Sequence, residues 1–267
     1  MGVVLIMDKR HIEAASLNKR AWEYRVYEWR VRTQGEAAEF GAAIKKNPHQ
    51  FLRWHAKYFK NIAGKKIASV CGSDGRCAVA LACLGADVTV FDQSEPQKQY
   101  ALEAAAAAGV DINYVVGDFC KEAKNFTEQF DYAYCEGGIL HYFLDLQDFC
   151  NCMRVILNEA GTLILSDYHP YHKTLRQPGK NVSVTEGDYF DKRIHYGHLP
   201  YMKFFDKDEQ NVFPPCQLRF YTISEIINAV IKSRLNIEQM QEYPKHDNEK
   251  LPGEFIIIAS VLPGSLM

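Results

Sequence analysis

The chain has 267 residues, of which 47% are hydrophobic and 12% aromatic, and its formal net charge is −2. This length and apolar content suffice for one large domain, or for a domain with a substantial insertion. A near-neutral chain without a basic stripe does not suit phosphate backbones. We therefore expect a small-molecule partner and no nucleic-acid partner.

The cysteines and the N-terminus indicate the cellular compartment. The eight cysteines show neither regular pairing nor CxxC spacing, which favours buried, reduced thiols. The apolar run within MGVVLIMDKRH is too short for a signal peptide or a membrane span. We expect a cytoplasmic protein without a membrane partner, and the sequence leaves its oligomeric state open.

The first predicted helix, Glu13 to Arg32, interleaves aromatic and basic residues. Trp22 and Trp29 are seven positions apart, so they are expected to share one helix face. Such a helix could stack on nucleic acid or simply cover a sheet, but we favour a helix folded over a binding cleft. A second helical pattern, Phe40 to Phe59, has the apolar spacing of a core helix. Within it, His55 is interpreted as a packed or capped histidine.

A strand–turn–helix–strand unit occupies Lys66 to Asp92. Ile67 to Cys71 is an apolar run of strand length, and Gly72 to Gly75 is a tight polar turn. Arg76 to Leu84 has helical spacing, and Val88 to Asp92 is a second strand. The two strands are expected to be parallel, because a crossover of this kind joins parallel neighbours, almost always with a right-handed turn.

This unit is typical of a site for a nucleoside-containing cofactor. Gly72 and Gly75 let the backbone turn sharply, and the helix behind them offers free N–H groups. Asp92, at the carboxyl end of the second strand, can accept hydrogen bonds from both hydroxyls of a ribose. Only part of the dinucleotide pattern G-x-G-x-x-G is present, which weakens an NAD assignment. The alternative is a βαβ unit with ordinary turn glycines.

Two further predicted strands end in polar residues. Ile112 to Val116 leads to Asp118 and Phe119, a pair that could bind an adenine amino group and cover one ring face. Phe130 to Cys135 is a fourth strand and runs into the segment Glu136 to His141. The polar ends of these strands are expected at one edge of the sheet, where ligands of open α/β sheets bind.

The second half of the chain is less regular. Leu144 to Leu157 is a covering helix, Thr162 to Leu165 a fifth strand, and Ser166 to Pro170 its carboxyl-end loop. The span Tyr168 to Phe220 departs from the repeating pattern and is rich in Tyr, His, Asp and Lys. A long insertion of this kind is usually a lid or a binding element.

The C-terminal segment completes the sheet. Thr222 and Glu225 have the spacing of a capping box at the start of a helix. Leu235 to Tyr243 and Glu254 to Val261 are predicted as the sixth and seventh strands. The polar segment Pro244 to Gly253 is predicted as a long connection between them.

The order of the motifs VCGSDG, VFDQS, VVGDF, FDYAYCEGGILHYF and GTLILSDYHP resembles the class I S-adenosylmethionine-dependent methyltransferases. The resemblance covers Gly64 to Asp167, and the C-terminal strands fit it. It implies an α/β, Rossmann-like fold: a seven-stranded, mainly parallel sheet with helices on both faces and an antiparallel last strand. We expect an N-terminal helical cap over residues 1–62 and a methyltransferase domain over 63–267, with residues 168–220 or thereabouts as an acceptor lid.

The resemblance implies S-adenosyl-L-methionine as the cofactor. The family holds the methionine part at the glycine turn, the ribose at the acid after the second strand, and the adenine at the pair after the third strand. The segment after the fourth strand lies between cofactor and acceptor. The residues that match these positions are Gly72, Asp74, Gly75, Asp92, Gln93, Asp118, Phe119 and Glu136.

The glycine motif departs from the family pattern, acid-x-Gly-x-Gly-x-Gly. When the chain is aligned on Gly75, Ser69 stands in place of the acid, and Cys71 and Ser73 stand in place of two glycines. These small residues permit close backbone approach if no positive φ is required there. Asp74 is a candidate substitute for the missing acid, which in the family helps to hold the ammonium group of the cofactor.

The expected function is methyl transfer from S-adenosylmethionine to a small-molecule acceptor, on oxygen, nitrogen or sulfur. One alternative is an NAD(P)-binding oxidoreductase, which shares the βαβ unit and the strand-end acid. Another is a non-catalytic module that binds S-adenosylmethionine. Methyl transfer depends mainly on alignment and exclusion of water, so a catalytic residue is not obligatory.

The acceptor site is expected at the ends of the fourth and fifth strands. The candidate catalytic residues are His169, His141 and Glu136, with a histidine as the better general base. The candidate substrate contacts are Tyr168, His169, Trp22 and Trp29. His169 and His172, with His141 and Glu136 after the neighbouring strand, could instead form a metal site. Such a pair binds a metal mainly with a third fixed ligand and a second shell, so we predict no metal.

Overall fold

The computed structural model describes residues 9–179, 182–185, 187–262 and 264, so the N-terminal apolar run lies outside the described residues. The strands are β1 Lys66–Val70, β2 Asp87–Asp92, β3 Asn113–Val116, β4 Phe130–Cys135, β5 Leu157–Tyr168, β6 Leu175–Gly179, β7 Val182–Thr185, β8 Ile194–Gly197, β9 Cys216–Arg219, β10 Leu235–Lys245 and β11 Asn248–Val261. The α-helices are α1 Lys9–Glu23, α2 Val26–Gln34, α3 Ala37–Lys46, α4 Pro48–Leu52, α5 Arg76–Cys83, α6 Glu95–Ala108, α7 Phe119–Glu122, α8 Leu146–Ile156, α9 Lys207–Gln210 and α10 Ile223–Lys232. Short 3-10 helices occupy Arg53–Tyr58, Ala123–Phe126, Leu140–Tyr142, Pro170–Thr174 and Pro200–Phe204.

A seven-stranded sheet forms the centre of the molecule, in the order β10-β11-β5-β4-β1-β2-β3. The strands from β3 to β5 are parallel to one another, and β11 is antiparallel to both of its neighbours. The predicted fold class, a mainly parallel α/β sheet with an antiparallel last strand, is confirmed. In the part of the chain that the structure describes, every helix is too short or too polar to cross a membrane.

The sheet is covered on both faces, as the apolar runs of its strands require. Ile67 of β1 packs in a core with α3, α5 and α6. Its neighbour Ala68 points to the opposite face, where α8 and α10 supply Met153 and Val230. This alternation follows from the two-residue period of a strand, and it leaves the carboxyl ends of the strands free for a site.

The N-terminal segment is not one helix, and the prediction for Glu13 to Arg32 is wrong in this respect. Helix α1 ends at Glu23 and α2 begins at Val26, because Arg25 adopts a left-handed conformation with φ 54°. Trp22 and Trp29 therefore do not share one helix face. Both rings nevertheless converge on Tyr201, at centroid distances of 5.9 and 4.8 Å.

The insertion after β5 carries two small antiparallel sheets, β6–β7 and β8–β9. It is fastened to the N-terminal helices by Tyr201, whose hydroxyl lies 2.7 Å from the Ala21 carbonyl and 2.6 Å from that of Tyr24. Tyr201 is almost fully buried. The insertion and the first two helices thus form one cover, while the division at residues 62 and 63 remains a prediction.

Two strand boundaries differ from the sequence-based expectation. Strand β5 extends to Tyr168, so Ser166 and Asp167 belong to the strand and not to a loop, because β11 pairs with β5 along this stretch. The segment Pro244 to Gly253 is not a long connection either. Both strands continue through it, up to the pairing of Lys245 with Asn248.

The predicted capping box at the start of α10 is confirmed by reciprocal hydrogen bonds. The backbone N–H of Glu225 donates to Thr222 Oγ1 at 3.2 Å, and the backbone N–H of Thr222 donates to Glu225 Oε2 at 2.9 Å. Each bond satisfies an N–H group that the first turn of a helix leaves without a partner. The start of the helix could thus be read from side-chain chemistry alone.

Gly75 provides a test of how tightly the glycine turn packs. Its φ is +73°, and a Cβ at this position would lie 2.7 Å from the Cβ of Ala101 in α6. Gly64 has the same φ, but a Cβ there would have no other atom within 4 Å among the described residues. Both Gly→Ala changes incur left-handed strain of about 1–2 kcal/mol, whereas Gly75→Ala adds an overpacking cost of about 1–3 kcal/mol.

We therefore expect Gly75→Ala to lower the free energy of unfolding by more than its matched control, Gly64→Ala. Denaturant unfolding of the two variants and the parent protein measures the difference. Equal losses for the two variants would show that α6 does not press on the turn.

Candidate functional site

A cavity of about 480 Å³ opens at the carboxyl ends of the central strands. It lies where the strand order reverses, between β1 and β4, which is the position of ligand sites in open α/β sheets. The glycine turn and the segment after β4 form its floor, and the first two helices and the insertion form its cover. We call this cavity the cleft.

Asp92 stands at the floor of the cleft, at the end of β2. Its Oδ2 accepts a hydrogen bond from the Ser73 backbone N–H at 3.0 Å, and its Oδ1 accepts one from the Ser94 backbone N–H at 3.0 Å. Burial raises the pKa of Asp92, and these backbone N–H groups oppose the rise. The carboxylate is thus fixed in place beside the glycine turn.

The glycine turn keeps a left-handed backbone at its non-glycine positions. Cys71 has φ 53° and Ser73 has φ 52°. The condition under which small residues could replace glycine without strain is therefore not met, and each residue carries a conformational cost of roughly 1–2 kcal/mol. Gly72 is needed for space, since a Cβ there would lie 2.7 Å from Ser69 Oγ.

Arg30 of α2 binds two residues of the glycine turn. It was not identified as a site residue from the sequence. Its Nη1 lies 2.8 Å from Asp74 Oδ2, and its Nη2 donates to Ser73 Oγ at 2.7 Å. Gln34 donates a second hydrogen bond to Asp74 Oδ2 at 2.9 Å. Asp74 lines the cleft but is committed to these partners, so its carboxylate is not free to replace the missing acid of the motif.

The other cofactor candidates divide into two groups. Phe119 and Gln93 line the cleft, whereas Gly75 and Asp118 are not among its lining residues. Asp118 Oδ1 accepts a hydrogen bond from the Cys120 backbone N–H at 2.9 Å, and its Oδ2 lies 3.2 Å from His11 Nε2. The carboxylate is therefore directed towards α1.

A buried group of three potential metal ligands surrounds this contact. One ligand atom each from His11, Asp118 and Cys120 lies within 4.8 Å of the others. This group is distinct from the pair His169 and His172, which was weighed from the sequence. The close contact between His11 and Asp118 gives each side chain a partner in its own right.

Glu136 is the most heavily contacted carboxylate at the acceptor end of the cleft. Its Oε1 binds the Arg76 guanidinium and accepts a hydrogen bond from Cys77 Sγ at 2.9 Å. Its Oε2 lies 2.9 Å from Nδ1 of His55, which also lines the cleft. Burial alone would raise the pKa of Glu136, but His55 and Arg76 outweigh it and hold that pKa well below its ordinary value.

Asp167 organises the segment after β4 and was also missed as a site residue. Its carboxylate accepts hydrogen bonds from four backbone N–H groups, at 2.6–3.0 Å, those of Gly138, Ile139, Leu140 and Tyr168. The residue is buried and lines the cleft. Burial raises its pKa to about 6. The sequence signal was the position of an acid at the end of a predicted strand.

The two predicted histidine bases have different surroundings. His141 lines the cleft between the rings of Tyr142 and Phe220, and burial lowers its pKa to about 4. His169 does not line the cleft, which corrects its expected place in the acceptor pocket. Its Nδ1 accepts a hydrogen bond from the Tyr171 backbone N–H at 3.2 Å, and its Nε2 lies 2.9 Å from Glu242 Oε1.

Aromatic side chains dominate the acceptor end. Trp22, Trp29 and Tyr168, the aromatic residues predicted to contact the substrate, line the cleft. The insertion adds residues that the sequence placed only within a general lid: Pro200, Tyr201, Lys203 and Phe204. Trp29 stacks on Tyr201 with an interplanar angle of 16°, so the cap and the insertion present one continuous aromatic wall.

The cleft fits a nucleoside-containing cofactor in its main features. A fixed carboxylate at the end of β2, the ring of Phe119 and a sharply turned backbone meet on its floor. The departures are Asp118, which faces His11, and the absence of a free acid at the turn. Neither departure obstructs the floor beside Asp92.

Comparisons with known proteins agree with this geometry. Residues 67–161 match the family described as "Methyltransferase domain". A curated relative, "Ubiquinone biosynthesis O-methyltransferase" of Erwinia tasmaniensis, is 24% identical over 173 residues, which cover 64% of this chain and 68% of the relative.

Solved structures share the fold at low sequence identity. A putative S-adenosylmethionine-dependent methyltransferase from Listeria monocytogenes aligns with a TM-score of 0.62 at 17% identity, covering 83% of this chain and 99% of the other. The magnesium protoporphyrin IX methyltransferase of Synechocystis PCC 6803, solved with bound SAH, aligns with a TM-score of 0.60 at 12% identity, covering 93% and 100%.

The fold is that of the class I S-adenosylmethionine-dependent methyltransferases. Within this chain, residues 67–161 match the methyltransferase domain, and the structural neighbours with this fold are S-adenosylmethionine-dependent methyltransferases.

The low pKa of His141 predicts a measurable acid sensitivity. A histidine whose pKa is about 4 in the folded protein and near 6.5 when unfolded gives stability that is complete above pH 6.5 and lost as the pH falls towards 4. At pH 5 this histidine accounts for a loss of roughly 2 kcal/mol. We expect His141→Gln to reduce the fall in the free energy of unfolding between pH 7 and pH 5 by about that amount.

Denaturant unfolding at the two pH values measures this difference. His49→Gln, at an exposed position, is the control and should leave the fall unchanged. The same acid sensitivity in the parent protein and in His141→Gln would contradict the burial of a neutral His141.

Proposed function

We propose that this protein transfers the methyl group of S-adenosylmethionine to the hydroxyl oxygen of a small-molecule acceptor. The observation that carries the proposal is one cleft that contains both a fixed carboxylate suited to a ribose, Asp92, and aromatic side chains of the cap and the insertion. The name of the curated relative supports oxygen as the acceptor atom.

The cofactor end is assigned by the side chains that line it. When bound, S-adenosylmethionine supplies an electrophilic methyl group on a positively charged sulfur. We assign the ribose hydroxyls to Asp92, one adenine face to Phe119, and the adenine edge to Gln93. The backbone around Gly72 would contact the methionine part, and Asp74 would act through the shape of the turn. Gly75 and Asp118 act indirectly, since neither lines the cleft.

The acceptor end would work by enclosure and alignment. Trp22 and Trp29 from the cap, with Tyr168 from the end of β5, surround a compartment next to Glu136 and His141. Closing such a compartment excludes water and holds the acceptor oxygen in line with the methyl group, which is where most of the rate of methyl transfer arises. His169 lies outside this compartment and is not assigned a role in it.

The enclosure also supports a small acceptor over a macromolecular one. The cap and the insertion are joined by the buried Tyr201, and together they cover the cleft. The chain carries a net charge of −2, which does not favour a nucleic-acid backbone. The alternatives are an NAD(P)-dependent oxidoreductase and a module that binds the cofactor without turnover.

Asp92→Ala tests the cofactor assignment. Losing a carboxylate that accepts two ribose hydroxyls should weaken S-adenosylhomocysteine binding by about 1.5–3 kcal/mol, or roughly 10-fold to 150-fold. Isothermal titration calorimetry of the parent protein and the variant measures this. Asp87→Ala is the control, because it removes an exposed carboxylate from the other end of the same strand.

The same titration separates the alternatives. The parent protein should bind S-adenosylhomocysteine saturably and NADH weakly or not at all. Saturable binding of NADH alone would contradict the proposal. Cofactor binding without formation of S-adenosylhomocysteine in the presence of any member of a phenol, thiol and amine panel would leave only the non-catalytic module.

A further inference from the structure

His55 is a buried cleft residue that the assignments above leave without a role. It lies in the 3-10 helix Arg53–Tyr58, is 1% exposed, and forms part of the cleft wall. The ring of Trp54 lies 3.7 Å from its ring and that of Tyr134 lies 5.6 Å away, measured between centroids. The imidazole is therefore held in one place, as a reacting group must be.

A carboxylate lies beside one of the two ring nitrogens of His55. Nδ1 of His55 lies 2.9 Å from Glu136 Oε2. The other oxygen of Glu136 is held by Arg76 and Cys77, so this carboxylate is kept ionised and immobile. A carboxylate beside Nδ1 favours the tautomer that carries its proton there, which leaves a lone pair on Nε2.

The second nitrogen has no partner among the described residues. Nε2 of His55 is buried and accepts no hydrogen bond from any of them. Leaving a buried acceptor without a hydrogen-bond donor is destabilising. Such a cost in a cleft wall is explained if the ligand of the cleft supplies the missing donor.

The comparison with His141 favours His55 as a base. His141 lies among aromatic rings and no carboxylate of the described residues contacts it, so its low pKa makes it a weak proton acceptor at neutral pH. His55 has the carboxylate that stabilises an imidazolium as it forms, in the arrangement that histidine bases commonly use. Both line the same cleft, but only His55 has this support.

We propose that His55 is the general base of the reaction and that Glu136 positions it, so that the acceptor is a hydroxyl compound still protonated at neutral pH. This inference rests on the proposed function. The acceptor O–H proton passes to Nε2 of His55 as the oxygen–methyl bond forms and the methyl–sulfur bond breaks. The bonding electrons remain on sulfur, which becomes a neutral thioether, and the imidazolium later releases its proton to water.

The test compares two acceptors of similar shape that differ in acidity. Phenol is protonated at pH 8, whereas 4-nitrophenol is largely ionised and needs no base. In His55→Gln, turnover of phenol should fall about 100-fold or more, while turnover of 4-nitrophenol should fall less than about tenfold. The ratio of the two rates within one preparation does not depend on how much of the variant is folded.

Three controls define the outcome. S-adenosylhomocysteine affinity should stay within about twofold in His55→Gln, as measured by calorimetry, and Glu136→Gln should lower the phenol rate more than the 4-nitrophenol rate. His49→Gln, exposed in the preceding helix, should change neither rate. Equal losses for both phenols, or no loss for either, would overturn the role of His55 while leaving the methyltransferase function intact. A parent protein that methylates neither phenol nor any other hydroxyl compound would overturn both.

Discussion

The whole site depends on one topological constraint, the reversal of strand order between β1 and β4. Right-handed crossovers carry the chain from β1 to β2 and β3 in one direction and then to β4 and β5 in the other. The connections after β1 and β4 therefore leave the sheet edge on opposite sides and cannot fill the space between them. The glycine turn, Glu136 and Asp167 are brought together because each follows or ends a strand at that edge.

The charges gathered at this edge are compensated before any ligand binds. Arg30 is matched with Asp74, Arg76 with Glu136, and Asp167 with four backbone N–H groups. Removing one partner of such a buried pair leaves an uncompensated charge, which costs more than the pair itself contributes. The cleft is consequently rigid in its polar parts. The Asp92 carboxylate and Nε2 of His55 keep hydrogen-bonding capacity to spare, and both residues line the cleft.

The sequence predicted the elements that depend on local patterns and failed where contacts between distant segments decide. The βαβ unit, the capping box of Thr222 and the acid at the end of β2 are all local, and their positions were found correctly. His55 was interpreted as a core residue because its helical spacing with Phe51 and Trp54 is all that the local sequence shows; Glu136 lies eighty-one positions away. The predicted first helix is interrupted at Arg25, because this residue has a left-handed backbone, and an apolar pattern carries no signal for that conformation. The Arg25 side chain is held by Glu209 at 2.7 Å.

The unusual glycine motif and the N-terminal cap explain each other. Cys71 and Ser73 hold a left-handed backbone without glycine, and such strain persists only where surrounding structure fixes it. Arg30 supplies that support, because it binds Ser73 Oγ directly and binds the neighbouring Asp74 as a buried ion pair. A serine at this position gives the cap a hydrogen-bond acceptor that glycine lacks. The departure from the family's glycines is thus compatible with a turn that is held in shape by α2 as well as by its own sequence.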